Sequence, residues 1–196
     1  NDFTLEENFQ TVKNFLDQNV LYLEKKLNHH IKEINLIINY DNFLIVDVSS
    51  INHYNNDANQ FDNSSNYLIN IKDNVIKNLN GYDLIHMIIN KFIIDGKEYS
   101  SIPNDHQYEN IFLEIKFVCL KSYILQSFKK IFSKYEILIK NISSYEHVNR
   151  FKNSEADNIF DLSDKLKNGF NQKEILFANK SIKSIGFFEK FFNLFR

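Results

Sequence analysis

Asp83-Leu84-Ile85-His86-Met87-Ile88-Ile89-Asn90-Lys91-Phe92-Ile93-Ile94-Asp95-Gly96-Lys97-Glu98 is the stretch on which the fold turns. Its β-branched and aromatic run over residues 83–94 has the composition of a strand, and Asp95-Gly96 ends it with a strong turn dipeptide. Downstream, past Pro103, residues 111–120 alternate well enough for a second strand. Ser122 is placed to cap a helix over residues 123–133, and residues 135–142 read as a further strand. Upstream, residues 66–80 carry Leu68, Ile71, Val75, Ile76 and Leu79 at helical spacing, with Gly81 just past the end. Strands and helices mixed in this order give an α+β domain, a small mixed sheet packed with two or three helices.

The N-terminal third extends this pattern. Thr4 and Glu7 form a capping-box pair. Leu5, Phe9, Val12, Leu16, Val20, Leu23 and Leu27 then recur at three and four residues, which predicts an amphipathic helix over residues 4–30. Residues 34–38 and 43–48 are short β-branched runs separated by Tyr40-Asp41-Asn42, which predicts a hairpin. Residues 52–66 are nearly all polar and read as a loop. Beyond Ser143 the chain turns polar, with weak helical periodicity over residues 159–166. The expected organisation is therefore a domain over 1–145, a polar linker over 146–181 and a terminal helix over 182–196.

Composition narrows the chemistry. The 196 residues hold 23 Lys+Arg against 25 Asp+Glu, with one Cys and four dispersed glycines. A single cysteine forbids an internal disulfide framework and fits a reducing compartment. A phosphate cradle needs clustered glycines, so no nucleotide loop is expected. His29, His30, His53, His86, His106 and His147 lack metal-ligand spacing, so neither metal nor other cofactor is expected. His29-His30 reads instead as a complement to a helix C-terminus, and Cys119, among Phe117, Val118 and Leu120, as a buried inert thiol. No catalytic pair stands out, so no enzyme is expected. An acidic body with scattered lysines argues against nucleic acid. No secretory signal or membrane-crossing helix is expected either.

The terminal segment carries the clearest functional signal. On a helical wheel Ile185, Phe187, Phe188, Phe191, Phe192 and Phe195 share one half of the circumference, and Lys190 and Arg196 fall on the other. Residues 180–196 hold four cations against Glu189, net +3, which leaves the remainder of the chain near −5. An interfacial helix needs this sorting, with rings for the acyl boundary and cations for anionic headgroups. The expected membrane-binding residues are Lys183, Ile185, Phe187, Phe188, Lys190, Phe191, Phe192, Phe195 and Arg196. A docked core helix is the competing reading of the same pattern.

The quoted stretch, followed by Ile102-Pro103-Asn104 and Leu113-Glu114-Ile115-Lys116-Phe117-Val118, resembles in order and spacing the inserted 1C subdomain of the bacterial cell-division protein FtsA, an actin-like family. Asn90 stands where that family usually has Pro, and Asn104-Asp105-His106 replaces its glycine-containing turn. The closing segment resembles the family's membrane-targeting helix. The resemblance implies a peripheral protein on the cytoplasmic face of the bacterial cell membrane, bound to anionic lipid. It also implies contacts with FtsA-like subunits or other division proteins. It does not carry over ATP binding or the grip on FtsZ, because the nucleotide-binding parts and the FtsZ-binding subdomain have no counterpart here. Beginning at Asn1 rather than Met, the chain reads as truncated at that end. The alternative is a soluble pilus-assembly or chaperone-like interaction module whose terminal helix docks on a protein partner.

Overall fold

The computed structural model describes residues 5–53, 60–99 and 109–176. It is mixed α+β, as the pattern implies. The leading helix, α1 (Leu5–Leu27), is followed by β1 (Glu33–Ile38), β2 (Leu44–His53), α2 (Gln60–Asn78) and β3 (Tyr82–Ile94). Then come β4 (Lys97–Tyr99), β5 (Asn110–Lys121), α3 (Ser122–Ser133) and β6 (Leu138–Ser144), with α4 (Tyr145–Asn149) and α5 (Ile159–Lys167) last. Four strands form an antiparallel sheet in the order β2-β5-β3-β4, and β1 and β6 form a separate parallel pair.

β5 is the spine of the larger sheet, paired along its length with β2 on one side and β3 on the other. Its residues alternate half-buried and buried until Phe117, Val118, Cys119 and Leu120, which are all buried. A strand covered on both faces reads as such a continuous apolar run. One face of the sheet packs Met87, Ile89, Phe92, Leu113, Ile115 and Phe117 beneath Leu68 and Ile71 of α2. Toward the other end, Leu120 joins Ile38, Ile124 and Leu125, and Phe9 of α1 meets Phe128 of α3 edge-to-face at 5.0 Å. Asp95 and Gly96 close the β3–β4 hairpin at φ 46° and 80°, the left-handed pair that a two-residue turn of the primed type requires.

Several local expectations change. The two runs at 34–38 and 43–48 do not pair with each other. β1 lies parallel to β6, from Glu33 opposite Leu138 to Ile38 opposite Ser144, while β2 takes the free side of β5. Turn residues report that a chain bends and not which strand it bends toward, and β5 offers a ten-residue edge. Ser122 is the first residue of α3 rather than its cap, which is Lys121 without a side-chain hydrogen bond. Ile76 points outward. The run expected as a loop over 52–66 instead ends β2 at His53 and opens α2 at Gln60. β6 begins at Leu138 because residues 135–137 make the turn after α3, with Glu136 at φ 60°.

The largest correction concerns the polar linker expected over 146–181. Its described part, through residue 176, is folded onto the domain. Val148, Leu162 and Leu166 form their own buried cluster, and Ile175 joins the core beneath α2. Lys173 and Ile175 bracket the edge of β3: Ile89 N donates to Lys173 O and Ile175 N to Met87 O, both at 2.8 Å. Covering an exposed strand edge in this way removes a template for wrong pairing. The apolar residues responsible are spaced too widely to look like an element, yet they converge in space. A packed Ile175 predicts that Ile175→Ala lowers unfolding free energy by about 2–4 kcal/mol in urea titration; a linker would show no change.

Candidate functional site

Three buried polar side chains meet where β3, α4 and the C-terminal segment come together. His86 lies in β3, just after a bulge between Leu84 and His86. His147 lies in α4, whose N-cap Ser144 accepts a hydrogen bond from His147 N at 3.3 Å. Glu174 follows a turn in which its own N–H donates to Asn171 O, and it faces Ile88 across the β3 edge. Each of the three is 5% exposed.

Glu174 Oε1 lies 2.6 Å from His86 Nδ1, and Oε2 lies 2.8 Å from His147 Nε2. The second nitrogen of His86, Nε2, accepts the backbone N–H of Ser144 at 2.9 Å. That bond fixes the tautomer: Nε2 must hold a lone pair, so Nδ1 carries the proton and donates to Glu174. The rings of His86 and His147 sit 4.2 Å apart, and Phe151 closes the outer side of His147 edge-on at 5.5 Å. Burial by itself would raise the Glu174 carboxyl, but the N–H donors of His147 and His86 outweigh it and hold it down to about 2. Burial also keeps the His86 imidazole below its ordinary value, against the pull of Glu174.

Two histidines and a carboxylate with ligand atoms within 4.8 Å of one another are also a donor set for a transition metal. The hydrogen bonds argue for protons instead. A metal-bound histidine offers its other ring N–H to an acceptor, whereas His86 Nε2 faces a donor. Binding a metal at Nδ1 would move the proton to Nε2 and set it against Ser144 N–H. The 2.6 Å spacing is also that of a hydrogen bond, shorter than the roughly 3.3 Å between ligands of a tetrahedral zinc shell with the usual bond lengths. The arrangement is a proton-held clasp.

Beside the clasp opens a cleft of about 790 Å³ between β3 at residues 83–87 and β6 at residues 138–143. Leu125 and Lys129 of α3, Leu166 and Lys167 of α5, and Ile175 and Leu176 complete its walls. Cys119 lies elsewhere, buried, with its thiol pushed up to about 11 by burial and then by Asp83. A thiolate nucleophile is disfavoured there at neutral pH. At the end of α1, His29 Nδ1 contacts Leu27 O at 3.0 Å, in keeping with a helix-terminal role. The membrane-binding candidates Lys183, Ile185, Phe187, Phe188, Lys190, Phe191, Phe192, Phe195 and Arg196 lie outside the described residues.

Spacing along the chain concealed the clasp, because its members stand 61 and 27 residues apart in sequence. One signal was available: Glu174 directly precedes Ile175-Leu176-Phe177-Ala178, a short apolar run inside a polar stretch. Neither a protein-family model nor a curated protein matches this chain.

Both shifted groups bind fewer protons folded than unfolded, so both make acid destabilising. The His86 contribution is complete above about pH 6.5 and fades as pH falls through its lowered folded value. That of Glu174 is complete above about pH 4.5 and fades toward pH 2. Urea midpoints should therefore fall steadily from pH 7 to pH 4; a level profile contradicts the clasp. Glu174→Gln should cost about 1–3 kcal/mol at pH 7, by leaving a buried N–H without an acceptor.

Proposed function

We propose that this chain is a non-catalytic contact module that sits peripherally on the cytoplasmic face of a bacterial membrane, in the manner of an FtsA-like division component. The observation that carries the reading is the sorting within residues 180–196: five phenylalanines between residues 187 and 195 on one helical face, with net charge +3 beside a body near −5. Burying one phenylalanine is worth about 1.5–3 kcal/mol and each basic residue near an anionic leaflet about 1 kcal/mol. Part of that offsets the cost of ordering a helix too short to stand alone. Reversible attachment follows.

Support also comes from the sequence likeness to the 1C subdomain of FtsA and from the hairpin at Asp95-Gly96 followed by β5, α3 and β6 in the order that likeness implies. No described helix is long and apolar enough to cross a membrane, which is compatible with peripheral attachment. On this reading the domain presents its surface to FtsA-like subunits or other division proteins, while residues 182–196 hold anionic lipid.

Sedimentation with vesicles of anionic and of zwitterionic lipid tests the reading. The wild-type chain should pellet with anionic vesicles and less with zwitterionic ones, and salt should weaken the difference. Phe188→Glu with Phe192→Glu should leave the protein in the supernatant. Equal behaviour of wild type and double variant would reject the lipid foot and favour a soluble pilus-assembly or chaperone-like module whose terminal helix docks on protein.

A further inference from the structure

Both ring nitrogens of His86 are already engaged. Nδ1 donates to Glu174 Oε1 at 2.6 Å, and Nε2 accepts the Ser144 N–H at 2.9 Å. A second proton can therefore enter this ring only at Nε2, on the lone pair that Ser144 uses. Two N–H groups would then face each other in a buried site, and one must leave.

The surroundings do not respond alike. Glu174, ionised, gains from a charged His86, so its hold on Nδ1 tightens. His147 of α4, its ring 4.2 Å away, opposes a second positive charge whenever it carries one. A proton added to His147 itself leaves its Nε2–H on Glu174 undisturbed. β5 sets apolar Val118 opposite His86, with Lys116 further along, opposite Ile88. The cleft adds Asp83 of β3, Glu33 of β1, Lys140 of β6, Lys129 of α3 and Lys167 of α5. With Glu174 these make three carboxylates against three ammonium groups, which leaves no net bias. β6 is also held near the ring by Ile142, which packs with Ile85 and Leu120. That contact is apolar and indifferent to pH.

We propose that His86 is a proton-triggered latch on the junction of β6 and α4: taking a proton at Nε2, it expels the Ser144 N–H and loosens the buried end of the cleft, while Glu174 keeps the Lys173–Ile175 segment on β3. Ser144 is also the N-cap of α4, where its hydroxyl accepts His147 N at 3.3 Å. The first turn of that five-residue helix loosens with it. Ile142 and Ser143 line the cleft, so freeing the strand end beyond them widens it there. The order of events separates this latch from acid unfolding of the whole domain. The junction yields first, and the Lys173–Ile175 segment only as Glu174 takes a proton toward pH 2. Burial already holds the His86 imidazole below its ordinary value, and a donor aimed at its lone pair acts in the same direction. The latch needs no lipid and stands apart from the membrane reading.

Amide exchange and histidine ring nitrogen shifts in NMR, followed on the full chain in solution between about pH 7.5 and 4, test it. At neutral pH the His86 proton should sit on Nδ1. Below about pH 6.5 the Ser144 amide should lose protection about ten-fold per pH unit, because opening takes up one proton. Near pH 5 it should be at least about ten-fold less protected than the amides of Ile89, Ile175 and Ile115. Low urea should leave its exchange unchanged, as for a local opening. Ser144→Ala keeps the N–H and should leave the His86 titration in place. Ser144→Pro, at a φ of −73° that proline accepts, removes the N–H and should move that titration up toward about 6.5. Four results overturn the proposal: a His86 proton on Nε2 at neutral pH, a Ser144 amide indifferent to pH, Ser144 exchanging in step with Ile115 or with Ile89 and Ile175, or a titration that both substitutions move equally. Should the proline variant fail to fold, the wild-type exchange and ring shifts still decide.

Discussion

One buried carboxylate ties the last described part of the chain to the rest. Glu174 is anchored by two imidazoles that belong to different elements, His86 on the central sheet and His147 on α4. Without those donors an ionised carboxylate at 5% exposure would be expensive, and the residue would move toward solvent or take up a proton. With them, the segment Lys173–Ile175 is held against the β3 edge and Ile175 enters the core, while α5 reaches β1 at one point. Asn35 of β1 donates to Asp164 of α5 at 3.1 Å along the same seam. The two sheets also meet through an apolar cluster of Ile38, Ile142, Ile85 and Leu120, so the clasp adds a polar tie to a contact that is otherwise apolar.

The tautomer argument matters because it separates two chemistries that use the same residues. A cluster of two histidines and a glutamate is ordinarily read as a metal centre, and by residue type alone this one would be. The direction of one backbone hydrogen bond, from Ser144 N to His86 Nε2, decides otherwise. It forces the proton onto Nδ1, where a metal would need a lone pair. The cluster is therefore better described by proton counting, and its sensitivity is to acid.

Much of the fold was legible because local pattern and final structure agree. The strand quoted at the outset, its Asp95-Gly96 turn, β5 and α3 lie where periodicity and turn chemistry place them, while α2 begins six residues early, inside the run that reads as a loop. What could not be read is what depends on distant partners. The β1 run has the composition of a strand, but its parallel partner lies a hundred residues away, so a nearby hairpin was the simpler inference. The stretch from residue 146 reads as polar because Val148, Leu162, Leu166 and Ile175 are scattered among Asn, Asp, Ser and Lys; only three-dimensional convergence makes them a core. The clasp was hidden for the same reason. His86 looked like an isolated polar residue in a strand, and Glu174 like one more charge in a solvated run. The terminal lipid candidates begin seven residues past the last described residue, Leu176.

That starting point has a physical consequence. Folding through Leu176 shortens the connection to the phenylalanine-rich segment from the whole expected linker to residues 177–181. Five residues reach at most about 18 Å. On the proposed reading, the clasp and the cleft then stand within about two nanometres of the lipid surface, rather than at the end of a long leash. Near an anionic leaflet the surface potential gathers cations, protons among them, within about a Debye length, near 8 Å at physiological salt. A clasp that loosens in acid would feel that layer only where the five-residue connection is drawn in well below its full reach.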